Sequence, residues 1–153
     1  MAKYVIGLAT LTVIGSGAAI GGGLLLGTKS SGPTVECSRY FIIQEILPFL
    51  EAQARCAEFN GTLGSINSDE AYSAVDAFFG EVRPHVNAWV GAKRISGEYF
   101  WLDGSEFNHA KWANNQPNNQ DCVYKGWSTN HRYYTGGCGM THPASLCEEN
   151  GKF

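Results

Sequence analysis

With 153 residues the chain has room for one domain. A net charge of −3, with Lys and Arg scattered along the chain, excludes the basic stripe that binds nucleic acid. Aromatic residues at 12% against charged residues at 16% supply a real core and exclude a disordered chain.

The amino terminus has the first physical signature. Tyr4 to Leu26 carry no charge between Lys3 and Lys29, and a helix across a bilayer needs about 20 apolar residues. Two readings fit residues 1–28. As a retained signal-anchor, residues 4–26 hold a single-pass type II protein whose domain stands on the extracellular face. As a cleaved signal peptide, Lys3 is the basic end, Val5 to Ile14 the apolar centre and Ser16-Gly17-Ala18 the cleavage site, and the protein is secreted. Cleavage there leaves an apolar start to the mature chain, which favours the anchor. Residues 29–36, with Ser30, Ser31, Gly32 and Pro33, read as a linker.

The cysteines are Cys37, Cys56, Cys122, Cys138 and Cys147, and none forms a C-x-x-C pair. His85, His109, His131 and His142 lack H-x-x-x-H spacing, so zinc is a poor reading. Widely spaced cysteines after an apolar targeting segment fit disulfides in an oxidising compartment. The number is odd, which leaves one thiol over. Cys37 just precedes the domain and serves either an interchain bridge in a homodimer or no bridge at all.

Ser38 to Ile46, with Tyr40, Phe41, Ile42 and Ile43, reads as a first strand. Pro48 suits the first turn of a helix whose Phe49, Ala52, Cys56 and Phe59 share one apolar face, and Gly61 reads as its stop. A second helix is expected from Asn67, capped by that side chain with Glu70 three residues on. Its buried stripe is Ala71, Val75, Phe78 and Phe79, and Gly80 ends it. Ala88–Ala92, Tyr99–Leu102, Val123-Tyr124, Tyr133-Tyr134 and Ala144–Cys147 follow as short strands, with Trp89 and Trp101 in the core. Two early helices followed by short strands indicate an α+β fold.

Between Trp112 and Cys122 the chain changes character. Asn114, Asn115, Gln116, Pro117, Asn118, Asn119, Gln120 and Asp121 favour turns, and an aromatic residue and a cysteine bracket them. Such a loop is a good place for recognition. Trp127, Tyr133 and Tyr134 follow and are candidate contact residues. Asn60-Gly61-Thr62 matches a glycosylation sequon.

Ala52-x-x-x-Cys56, Gly61-Thr62-Leu63 with Ile66, Trp89-Val90-Gly91, Phe100 to Gly104, Trp112 with Gln116-Pro117-Asn118 and Asp121-Cys122-Val123, Cys138, and Leu146-Cys147-Glu148 stand in the order of a C-type lectin-like domain, which the chain resembles from Ser38 to Glu149. The domain is therefore drawn over residues 37–149, with 150–153 as a tail. The resemblance implies a double-loop fold whose ends lie together. It also implies bridges Cys56–Cys147 and Cys122–Cys138, with Cys37 left over, and Phe49 stands where the family usually has tryptophan.

Many members of that family bind sugar through a calcium ion held in the long loop. Calcium takes six to eight oxygen ligands, and carboxylates set the affinity. In this chain Gln116-Pro117-Asn118 occupies the first ligand tripeptide, and neutral Gln120 stands where the resemblance expects Glu. The later Trp-Asn-Asp triplet falls on Tyr133-Tyr134-Thr135. Gln116, Asn118 and Asp121 remain as weak calcium candidates, so no metal or other cofactor is expected, and the isomer of the Gln116–Pro117 peptide is open.

The expected function is non-enzymatic, calcium-independent recognition of a protein or glycan on another cell or in the matrix. Candidate contacts are Trp112, Asn114, Gln116, Asn118, Asp121, Trp127, Tyr133 and Tyr134. The alternative is a carbohydrate-binding lectin with a degenerate calcium site or calcium-free sugar stacking. No G-x-S-x-G, metal-ligand cluster or phosphate-cradling glycine loop suggests an enzyme.

Overall fold

Residues 3–5, 39–82, 86–108, 111–126 and 132–150 are described by the structure, a computed structural model. In order they form β1 (Lys3–Val5), β2 (Tyr40–Ile43), β3 (Leu47–Pro48), α1 (Phe49–Glu58), β4 (Gly61–Leu63), α2 (Asp69–Val82), β5 (Ala88–Ile95), β6 (Glu98–Trp101), β7 (Cys122–Lys125), β8 (Tyr133–Gly136), β9 (Thr141–His142) and β10 (Ala144–Glu149). An eight-stranded sheet runs β1-β2-β10-β5-β7-β8, with β4 added to β10 and β6 to β5. Strands β3 and β9 make a separate pair. The fold is the α+β class read from the sequence.

Successive strand residues face opposite sides, and β5 feeds two cores in this way. Val90 joins Val75, Phe79, Trp101, Val123 and Tyr133 beside α2. Trp89 joins Phe41, Phe49, Ala52 and Leu63 beside α1. Trp89 and Trp101 are thus core residues, as expected. Phe49 meets the Trp89 ring edge-on at 5.5 Å, and full burial of such a side chain stabilises by roughly 1.5–3 kcal/mol.

The register of β2 on β10 sets Tyr40 opposite Glu148, and Glu149 N donates to Arg39 O at 2.8 Å. The two ends of the domain therefore lie side by side. Cys56–Cys147 ties α1 to β10 across 91 residues, and Cys122–Cys138 closes a separation of 16. Both pairings are those the resemblance implies.

Element ends differ from the sequence reading for local reasons. Pro48 precedes the first turn of α1, and the Phe49 N–H finds Cys138 O at 3.1 Å. Asn60, at φ 58°, takes the left-handed position after α1. Gly61 already belongs to β4, where a Cβ would lie 2.6 Å from Glu148 O, so glycine is needed for close approach. Ser68 caps α2, its Oγ accepting from Ala71 N at 3.1 Å, while the Asn67 amide donates to Asp103 Oδ2 at 2.8 Å. Gly80 lies inside α2, which runs on to Val82. Strand β5 extends to Ile95 and turns into β6 through Ser96 and Gly97, both at positive φ (51° and 96°).

Lys3–Val5 pairs antiparallel with Phe41–Ile43. Residues 6–38, which include most of the expected anchor, the linker and Cys37, lie outside the described residues. Among the described residues no helix is long and apolar enough to cross a membrane.

Candidate functional site: the long loop

The loop leaves β6 and returns into β7. Its base is aromatic: Trp112 lies 5.1 Å from the Tyr99 ring and 4.8 Å from Phe107. The backbone is fastened there too, since Ala113 N donates to Tyr133 O at 2.9 Å and Tyr133 N to Lys111 O at 3.0 Å. Trp112 is half-buried, the anchor its position suggested.

Beyond Ala113 the chain turns, with Gln116 N donating to Ala113 O at 3.1 Å and Asn115 at φ 60°. The Gln116–Pro117 peptide is cis, and Asn119 takes φ 65°. Asn tolerates the left-handed region better than most residues, which is one reason Asn is suited to both bends. Gln116 Oε1 accepts from Thr135 N at 2.9 Å and from Thr135 Oγ1 at 2.8 Å. Asn118 N donates to Thr135 Oγ1 at 3.1 Å, and Asn118 Oδ1 contacts the same hydroxyl. The returning arm is held through its carbonyls: Arg94 Nη1 donates to Asn119 O at 2.9 Å and Tyr99 OH to Gln120 O at 2.7 Å. Burial raises the Tyr99 pKa, so this hydroxyl stays a donor at neutral pH.

The expected contact residues separate on this frame. Trp112, Asn114, Gln116, Asn118 and Asp121 share the loop, and Asn114, Asn118 and Asp121 are exposed. Tyr133 does not belong to the surface. It is 1% exposed, packed against Trp101 at 6.0 Å and Phe107 at 5.6 Å, because its side of β8 faces the α2 core. Tyr134 points to the other face and stacks on Tyr124 at 5.3 Å with a 10° interplanar angle. Trp127 lies outside the described residues.

Three features escaped the sequence reading. Where the resemblance expects the Asp of the Trp-Asn-Asp triplet, Thr135 supplies a hydroxyl that is itself a hydrogen-bonding group. Arg94 and Tyr99 bond main-chain carbonyls and leave no residue pattern to find. Beneath the loop's base, Lys125 is 1% exposed, pairs with Asp76, and lies over the Tyr72 and Tyr133 rings at 4.6 and 4.9 Å. Burial lowers its pKa, and the Asp76 carboxylate opposes that shift.

The donor set does not suit calcium. The amide oxygens of Gln116 and Asn118 are turned onto Thr135, and Asp121 is the one carboxylate of residues 112–121. Among the described residues no three His, Cys, Asp or Glu side chains gather as a metal-binding group.

Residues 45–149 match the family model described as Lectin C-type domain. Ladderlectin of Oncorhynchus mykiss is 24% identical over 106 residues, covering 65% of this chain and 56% of that protein. C-type isolectin Sp-CL4 of Scorpaena plumieri is 36% identical over 81 residues, 49% of this chain and 56% of that one. The chain therefore spans little more than half the length of these relatives. Human lithostathine shares the fold at a TM-score of 0.65 and 19% identity, over 74% of this chain and 93% of that one.

Proposed function

The chain belongs to the C-type lectin domain family, and from that premise we propose that it is a non-enzymatic, calcium-independent recognition module that binds a protein or glycan through residues 112–121. One observation carries the reading: Thr135 already engages both amide oxygens that a loop-bound ion would need. A hard cation must displace these neutral hydrogen bonds and receives one carboxylate in return, which supports at best a weak site. The exposed Asn114, Asn115, Asn119 and Gln120 side chains offer paired amide donors and acceptors instead. Such groups suit sugar hydroxyls as well as peptide backbone.

The same reading places the domain outside the cell, either displayed by residues 4–26 as a type II membrane protein or released by cleavage. Cys37 is proposed as the interchain disulfide of a homodimer, and Asn60 as a glycosylation site. A calcium-using lectin is the competing account. The full chain probed against glycan and cell-surface protein arrays, in calcium and in chelator, separates the two. Binding that is equal in both supports the proposal, and glycan binding abolished by the chelator rejects it.

A further inference from the structure

The loop's two arms are held in different ways. The returning arm is tied through main-chain carbonyls alone: Asn119 O to Arg94 Nη1 at 2.9 Å, Gln120 O to Tyr99 OH at 2.7 Å, and Asp121 O to Arg94 N at 2.8 Å. Those ties leave the side chains of Asn119, Gln120 and Asp121 undirected. On the outgoing arm the contacts converge on one residue. Thr135 N and Oγ1 both donate to Gln116 Oε1, at 2.9 and 2.8 Å, and Asn118 N donates to Thr135 Oγ1 at 3.1 Å. Asn118 Oδ1 lies against the same hydroxyl and shares its single proton with Gln116 Oε1. Thr135 is 4% exposed, so water cannot readily replace a lost partner there.

We propose that Thr135 is the positioning residue of the recognition loop. Its hydroxyl bridges Gln116 and Asn118 across Pro117 and does from inside the protein what a bound cation does elsewhere. Gln116 and Asn118 are then framework, and Asn114, Asn115, Asn119 and Gln120 form the surface that meets the ligand. The inference deepens the function proposed above and rests on it for the loop's being the ligand site.

A hydroxyl that only filled space would be replaced without consequence by an isosteric methyl, so Thr135→Val and Thr135→Ser discriminate. Amide hydrogen exchange is measured on the full chain. In Thr135→Val the Asn118 amide is expected to exchange about ten-fold faster, while Trp89 and Leu146 keep wild-type rates. Thr135→Ser is expected to restore protection. If Thr135→Val does not fold, Gln116→Met tests the same bridge from its other end, with an accelerated residue-135 amide expected. Wild-type protection of Asn118 in Thr135→Val, or equal loss in Thr135→Ser, overturns the proposal. Wild type measured with and without millimolar calcium keeps the two readings apart. Asn118 protected only in calcium rejects the calcium-free loop, whereas Asn118 unprotected in both conditions rejects the Thr135 bridge alone.

Discussion

His142 lies with its ring 4.4 Å from Trp89 and 4.1 Å from Tyr124, and its buried Nε2 has no hydrogen-bond partner among the described residues. Burial lowers its pKa from 6.5 to about 4. The unfolded chain therefore binds this proton between those pH values while the folded chain does not. Acid favours unfolding across that window, and the stability present above pH 6.5 is progressively lost toward pH 4. The loss between pH 7 and 4.5 is expected to be about 2 to 3 kcal/mol. Urea denaturation of wild type and His142→Phe at both pH values checks this, since the variant should lose that part of the difference. An unchanged difference would mean that His142 is not the group responsible. Nothing in the sequence marked this histidine out, because its burial depends on β9 folding against β3, a pairing between residues far apart in the chain.

Two glycines make opposite predictions at the level of the elements that contain them. At Gly91 in β5 a Cβ would lie 2.2 Å from Leu63 O, where Gly91 N also donates to Gly64 O at 2.9 Å. Gly91→Ala must push β4 away from β5 and is expected to destabilise by about 3 kcal/mol, the upper range for overpacking. At Gly80 nothing lies within 4 Å of the added carbon, on the exposed side of α2. Gly80→Ala is expected to stabilise by about 0.8 kcal/mol through helix propensity. Shifts of the denaturation midpoint in opposite directions check both. Removing the disulfides should likewise rank by closure length: about 4.6 kcal/mol for Cys56–Cys147 and about 3 for Cys122–Cys138 in the chain-entropy model, read from double alanine variants.

The elements also show what sequence could tell. The face of α1 was legible because Phe49, Ala52 and Cys56 repeat at helical spacing and all three are buried. The start of α2 was misread at Asn67 because its amide is drawn to Asp103, a partner 36 residues away. Gly80 was misread as a stop because one exposed glycine does not outweigh the packing of Val75 and Phe79. In the site, the Trp112 anchor and the polar loop were legible from composition. Tyr133 was not, because adjacent tyrosines face opposite sides of β8 and the sequence does not say which side is covered.

Across the whole molecule, the ends of the domain meet at the β2–β10 pair, and Asn60 O accepts from Asn150 N at 3.0 Å. The sequon, with Asn60 and Thr62 exposed and Gly61 buried between them, thus lies beside the carboxyl end of the domain. The loop is built between β6 and β7 and braced by β5 through Arg94 and by β8 through Thr135. On the proposed function, a recognition surface supported on a sheet in this way would hold its shape without an ion. Titration calorimetry of calcium into the full chain, with melting curves in calcium and in chelator, tests that claim most directly. An ion-free loop gives no saturable heat below about a millimolar and the same melting temperature in both buffers. A saturable isotherm with a dissociation constant well below about a millimolar, with a higher melting temperature in calcium, would contradict it.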